Sequence, residues 1–481
     1  MLASLQEEHC RIHQQVFEAL SSKLVAAVSK AKSVQSGTAG PSSVMSITGS
    51  VKYIFLRGAL DETISDLEKW QRIFDPTWFL ILRIENAVVD SALKDANAPA
   101  SSVPSTSTTI ATARKLRRAL DHGTQTQLHV SLPEDGLDWD GALPITHSNT
   151  RIVRRAKPEG SSAGFFAVDT ILCDSTYDVT AVRADAESLA KKLKQVDPDI
   201  FALPSCHGVV KRRDKASGRL SSIELIFRIP LNSKALELPP VRSLRYHLSQ
   251  PRTFSLTRIL DIARQLASAV SFVHTCNFVH KNIRPESILV FPDPDSGAVL
   301  GSAYTMGFDS FRSVNFHTLR NGDAAWHRNL YRHPQRQGLL AYNSYVMQHD
   351  IYSLGVCLLE LGLWESFVCY PIEEEGDETE AQPVPSVALG LDIEGLKFSL
   401  SLDGKASPTT SVKDRLVNLA RSKLPLTVGD RFAHVVITCL TCLDEENVEF
   451  SSVEEMHDED GVIIGTKFIE KVLFKLSEIS L

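Results

Sequence analysis

The chain has 481 residues, a net charge of -7 at pH 7, 43% hydrophobic residues and 23% charged ones. That length allows about two to four domains, and the composition is ordinary for a globular protein; the acidic balance offers no footing for nucleic acid. No apolar run reaches the roughly 20 residues that span a bilayer, no secretory leader opens the chain, and eight scattered cysteines suit reduced thiols in a cytoplasmic protein.

Apolar residues recur on one helical face at Ile12, Val16, Leu20, Leu24 and Val28, which predicts a first long helix. A Ser/Gly-rich loop follows over 33–50. Val51, Ile54, Phe55, Ile64, Leu67 and Trp70 mark a second helix, ended by Asp75-Pro76, because the residue before a proline is pushed out of the helical region. Trp78 to Leu93 reads as a third amphipathic segment. Residues 98–109 carry Pro99, Pro104 and many Ser/Thr; with so little apolar bulk they read as an exposed hinge. A short basic helix at 111–119 closes a helical region over 1–122, and 123–143 reads as a linker. The texture then changes. Ile152-Val153, Gly164 to Leu172 and Ile223 to Ile229 are rich in branched and aromatic residues and predict strands. From Ser255 onward helices dominate. The fold class predicted is α+β: an N-terminal α-helical bundle, then a second unit over 144–481 whose first part is strand-rich and whose remainder is helical.

The most specific line is His280-Lys281-Asn282-Ile283-Arg284-Pro285-Glu286-Ser287, followed by the apolar strand Ile288 to Phe291. It resembles the catalytic loop of protein kinases, H-R-D-L-K-P-E-N. Its neighbours fall in the family's order. Leu256 to His274 resembles the helix that leads into that loop. A hairpin follows, Ile288 to Phe291 and Val299 to Met306, turning over 292–297. Gly307-Phe308-Asp309 stands at the D-F-G position. Tyr331-Arg332-His333-Pro334-Gln335 resembles the A-P-E segment, and Asp350-Ile351-Tyr352-Ser353-Leu354-Gly355 the start of the family's F helix. Upstream, Gly164 to Asp169 resembles the strand carrying V-A-I-K, with Asp169 in the slot of the ATP-anchoring lysine. Ala184 to Leu193 resembles the C helix, with Glu187 as the lysine's usual partner.

The resemblance implies a bilobal protein-kinase-like domain, N-lobe about 144–230 and C-lobe about 231–481. It also implies lost chemistry. Asn282 replaces the base aspartate, whose general-base help is worth about 10²–10⁴ in rate. Ser287 and Gly307 replace the two usual magnesium ligands, and Asp169 puts a negative charge where phosphates are held. Two carboxylates at 169 and 187 repel instead of pairing. Asp309 is acidic but displaced by two positions, so it is expected to point elsewhere. Only Gly160 and Gly164 lie near the place of the Gly-rich loop. His280, Arg284, Pro334 and Asp350 are left as scaffold. The reading is a catalytically inactive pseudokinase, an interaction or switch module with other proteins as partners and no cofactor or metal expected. ATP is implied only if nucleotide binding is kept. The rival is a divergent ATP-dependent Ser/Thr kinase.

Three further features stay open. Glu373 to Glu378 and Asp444 to Asp460 are acidic runs, read as solvated loops or docking segments. Cys439-Leu440-Thr441-Cys442 reads as a pair of buried thiols, zinc being the alternative. Leu67 to Trp70 and Asp75 to Leu80, with the preceding helix, resemble fungal HeLo-type domains of heterokaryon-incompatibility and cell-death proteins. In that family an apolar opening helix, missing from this sequence, is implicated in membrane insertion. The resemblance therefore brings peripheral membrane association as one expectation, and a plain helical scaffold as the other.

Overall fold

In the computed structural model the described residues are 128–156, 164–173, 179–229, 240–293, 298–309, 311–313, 321–323, 325–340, 345–371, 382–396, 412–447, 449–450 and 462–480. The helical region expected over 1–122, the hinge at 98–109, Gly160 and most of both acidic runs lie outside them.

Branched and aromatic residues build five antiparallel strands, β1 (Leu137–Pro144), β2 (Arg151–Arg155), β3 (Phe165–Leu172), β4 (Cys206–Arg213) and β5 (Leu220–Arg228). Their order in the sheet is β1-β2-β3-β5-β4. Because side chains alternate across a strand, the two faces have separate cores. Ile152, Ala167, Ile171, Val209, Ile223, Leu225 and Phe227 point to one face. Helix α1 (Val179–Leu193) joins that core through Val182, Ala186, Leu189, Ala190 and Leu193, its apolar stripe. Val153, Phe166, Val168, Val210 and Ile226 form a smaller cluster on the other face.

β1 begins at Leu137, inside the stretch read as a linker over 123–143. The chain is engaged even earlier: Ser131 bridges Val209 in parallel, and the Leu132 N–H donates to the Val209 carbonyl at 2.8 Å. Gly208 makes room for this, since a Cβ there would lie 2.4 Å from the Val130 carbonyl oxygen.

The rest is mostly helical. After β6 (Arg242–Ser243), α2 (Leu244–Leu248) and α3 (Leu256–Thr275), the short β7 (Phe278–Val279) leads to the β8 (Ile288–Phe291) and β9 (Ser302–Thr305) hairpin. α4 (Met347–Leu363) is buried almost all round, as suits a helix at the centre of a core. α5 (Val412–Thr427) and α6 (Asp430–Leu440) pack on it. Gly355 of α4 allows the close approach of α6, because a Cβ there would meet the Cys439 Cβ at 2.8 Å. Cys439 and Cys442 are buried free thiols, and no group of metal-ligating side chains occurs among the described residues. Among those residues, no helix is long and apolar enough to cross a membrane.

One buried cation ties the helical part together. Arg245 of α2 donates to Glu286 at 2.9 Å, to Glu360 of α4 at 2.6 Å, to Ser366 at 2.7 Å and to the Tyr331 hydroxyl. Despite burial, Arg245 and Arg284 hold the Glu286 carboxyl down to about 2.

Three histidines in this core are kept neutral. Burial pushes His247 down to about 4 and both His333 and His349 to about 3. Below the ordinary histidine value of about 6.5, the unfolded chain takes up protons that the fold refuses, which removes about 1.4 kcal/mol per pH unit per group. Asp169, pushed up to about 6 by burial, acts in the opposite sense below that pH and offsets one of the three. The expected result is a melting temperature that falls steadily from pH 7 to pH 5, by a net loss on the order of 4 kcal/mol. A flat melting profile over that range would show these histidines to be solvated.

Candidate functional site

The cleft between the sheet and the helical part brings together most of the residues singled out by the motif. Its floor is set by Asp350, at the start of α4 and fully buried. One of its oxygens accepts the His280 N–H at 2.7 Å and approaches His274 Nε2 at 3.2 Å. The other accepts the Lys281 N–H at 2.9 Å and the Tyr345 hydroxyl at 2.8 Å. Burial pushes this carboxyl up, but the His274 hydrogen bond and the neighbouring His274 and His280 hold it below the usual range. The bracing lets Lys281 adopt a left-handed φ of 66°, a conformation that costs a non-glycine residue energy and needs surroundings to hold it. His280 is buried, its Nδ1 accepts the Asn282 N–H at 3.3 Å, and its ring packs on Phe308 at 4.6 Å.

Asn282 donates its side-chain amide to the Gly307 carbonyl at 3.1 Å and to Asp309 at 2.9 Å. Its oxygen accepts Arg284 Nε at 2.7 Å. Ser287 turns its hydroxyl back onto the carbonyls of Asn282 and Arg284, at 2.6 and 2.9 Å, and accepts the Arg284 N–H. Asp309, expected to point elsewhere, turns toward the loop at 280–287: one oxygen accepts from Asn282 and the other from Asn149 at 3.5 Å. The turn at 308–309 produces this, with Gly307 at φ 84°. Gly307 has no spare room, since a Cβ there would lie 2.6 Å from the Ser287 Cβ and 2.9 Å from Asn282 Nδ2.

Asp169, central in β3, is buried. It accepts the Thr150 hydroxyl at 2.6 Å, the Gly307 N–H at 2.7 Å and the Phe308 N–H at 3.0 Å. Burial lifts its carboxyl to about 6 against those hydrogen bonds, so at pH 7 it is mainly ionised and its charge is matched by donors, as a buried charge requires. Glu187 does not face Asp169. It pairs with Arg183 at 3.1 Å and with Lys211 of β4 at 2.6 Å; against partial burial, Lys211 and Arg183 hold it below the usual range. The repulsion expected between the two carboxylates is thereby avoided. Pro334 opens a short 3-10 turn and is exposed, flanked by buried His333 and Arg336. Sequence reasoning missed Thr150, Asn149 and Lys211, which lie in no motif.

Over 120 residues the chain is 24% identical to a Raf homolog serine/threonine-protein kinase of Caenorhabditis elegans; the match covers 24% of this chain and 14% of that protein. No family model matches the chain. The likeness points to a kinase-like fold and no further.

Two stability predictions follow from the geometry. Asp350→Ala strands the N–H groups of His280 and Lys281 in a dry site, each worth about 1–3 kcal/mol. Asn282→Ala, in a partly exposed position, should cost about 1 kcal/mol. Melting of the two variants is therefore expected to differ widely, with Asp350→Ala lower; matching curves would remove the bracing role. Gly307→Ala should cost roughly 1–3 kcal/mol through overpacking and backbone strain. Adding Ser287→Gly should recover part of that loss in a denaturant titration. No recovery would mean that Ser287 is not what crowds position 307.

Proposed function

We propose that the chain is a protein-kinase-like signalling protein that does not transfer phosphate and acts as an interaction or switch module. The observation that carries this reading is the wiring of Asp169. The residue in the slot of the ATP-anchoring lysine is an anion whose hydrogen bonds go to the backbone of Gly307 and Phe308. An anion there opposes the phosphates that a kinase must hold. Ser287 is bonded to the backbone and Gly307 has no side chain, so neither usual metal-binding position offers a ligand to magnesium, the ion that offsets charge on the transferred phosphoryl group. Asn282 lacks the basicity to take a substrate proton. The similarity to a Raf homolog supports the kinase side of the reading, and the stable bracing by Asp350 supports a module that keeps its shape without the chemistry. The resemblance of 1–122 to fungal HeLo-type domains makes cell death or incompatibility the setting we propose, with that segment as the output.

The proximity of Asp309 to Asn282 favours the rival, a divergent Ser/Thr kinase, because it returns one carboxylate to the cleft. Radiolabelled ATP with magnesium or manganese, assayed for autophosphorylation and for transfer to generic protein substrates, separates the two. No transfer above background is expected. Transfer that vanishes in Asp309→Ala would establish the rival.

A further inference from the structure

The turn between β1 and β2, Ile145 to Thr150, crosses from the sheet into the cleft and is held there from both sides. It is a tight turn: the Ser148 N–H donates to the Ile145 carbonyl at 2.9 Å, the Thr150 N–H to the Ser148 hydroxyl at 3.2 Å, and His147 takes a left-handed φ of 57°. Its first and last residues are buried, Ile145 at 4% and Thr150 at 1% exposure. Ile145 belongs to the apolar cluster that also holds Ala167 of β3, Val241 ahead of β6, Leu289 of β8 and Met306 beside Gly307. That cluster draws on the sheet, the connection and the helical part, so Ile145 is anchored in a core that the two halves share.

The polar contacts repeat the pattern. Ser243, at the start of α2, donates its hydroxyl to the Thr146 carbonyl at 2.7 Å. The His147 ring stacks on Tyr370 at 4.4 Å with planes 18° apart, and the Tyr370 hydroxyl reaches Glu286 at 3.3 Å. Asn149 reaches Asp309, and Thr150 donates to Asp169. A segment of six residues thus touches positions 169, 243, 309 and 370.

We infer that this turn is a resident plug of the interlobe cleft, an intramolecular occupant that stands where a nucleotide would have to enter. The inference rests on the kinase-like reading of the cleft. A ligand must expel Ile145 from its cluster and break the Ser243 and Tyr370 contacts, so its affinity falls by the factor by which the open form is rare. The turn contains no glycine, and its inward course is fixed by Ile145 and Thr150 at its two ends. The plug and the Asp169 charge act on different parts of a nucleotide: the plug excludes any ligand, and the charge opposes phosphate alone.

Calorimetric titration with adenosine and, separately, with ATP distinguishes these effects. The unaltered protein should bind neither at millimolar concentration. A variant with Ile145→Gly and His147→Gly should gain adenosine binding at least tenfold and gain less for ATP, because Asp169 remains. Tyr370→Ala, which leaves the turn's own sequence intact, should give a smaller gain in adenosine binding. Adenosine binding to the unaltered protein, or folded variants with no gain, would overturn the inference. Hydrogen exchange on the unaltered protein checks it without any variant: the Ser148 and Thr150 amides should be protected, and rapid exchange there would also overturn it. These readouts are independent of phosphotransfer, so an active enzyme with a plugged resting cleft and an inactive one with an open cleft would each be recognised.

Discussion

A carboxylate sealed from water has to find donors, and the Asp169 side chain finds them in both halves of the domain. Its position in the middle of the sheet is fixed by pairing with Leu225. From there it takes one hydroxyl from the β1–β2 turn and two backbone N–H groups from Gly307 and Phe308. Charge-assisted hydrogen bonds of this kind are shorter and stronger than neutral ones. Because leaving the charge unmatched would be so costly, the three donors are held together as a set. The end of the turn, the backbone at 307–308 and the centre of the sheet are thereby joined at one side chain.

Two other buried charges do comparable work. Asp350 gathers two backbone N–H groups and Tyr345, and so fixes the loop at 280–282. Arg245 bridges Glu286, which follows that loop, to Glu360 near the end of α4. Buried ion pairs contribute little net stability over well-packed apolar residues, but removing one partner strands the other. Their role here is positional. They keep the loop rigid although Asn282 and Ser287 have turned inward to bond the protein itself.

The helical part was readable because its signals are local. The apolar stripe of α3 predicts Leu256 to His274, and the helix runs Leu256–Thr275; the motif at Asp350 falls in the first turn of α4. β1 was not readable. Asp138, Asp140 and Gly141 interrupt its alternation, and only Leu137 of its eight residues is buried, so nothing in the stretch distinguishes it from a linker. The cleft was half readable for a related reason. Motif order located 169, 282, 287 and 307, but their hydrogen-bond partners come from elsewhere in the chain. Thr150 and Asn149 belong to a turn with no motif, and Lys211 reaches Glu187 only because β4 packs beside α1. Spacing along a sequence carries no information on such meetings.

The crowding at Gly307 ties positions 282, 287 and 307 together. An aspartate at 307 would collide with Ser287 and Asn282, and an asparagine at 287 would lose the hydroxyl that ties the loop to its own carbonyls. Each of the three residues is part of the packing that the other two need. A side chain added at 307, or a hydroxyl lost at 287, is therefore felt at both other positions. The three behave as one mechanical unit, and the effects of substituting them are expected to be strongly non-additive.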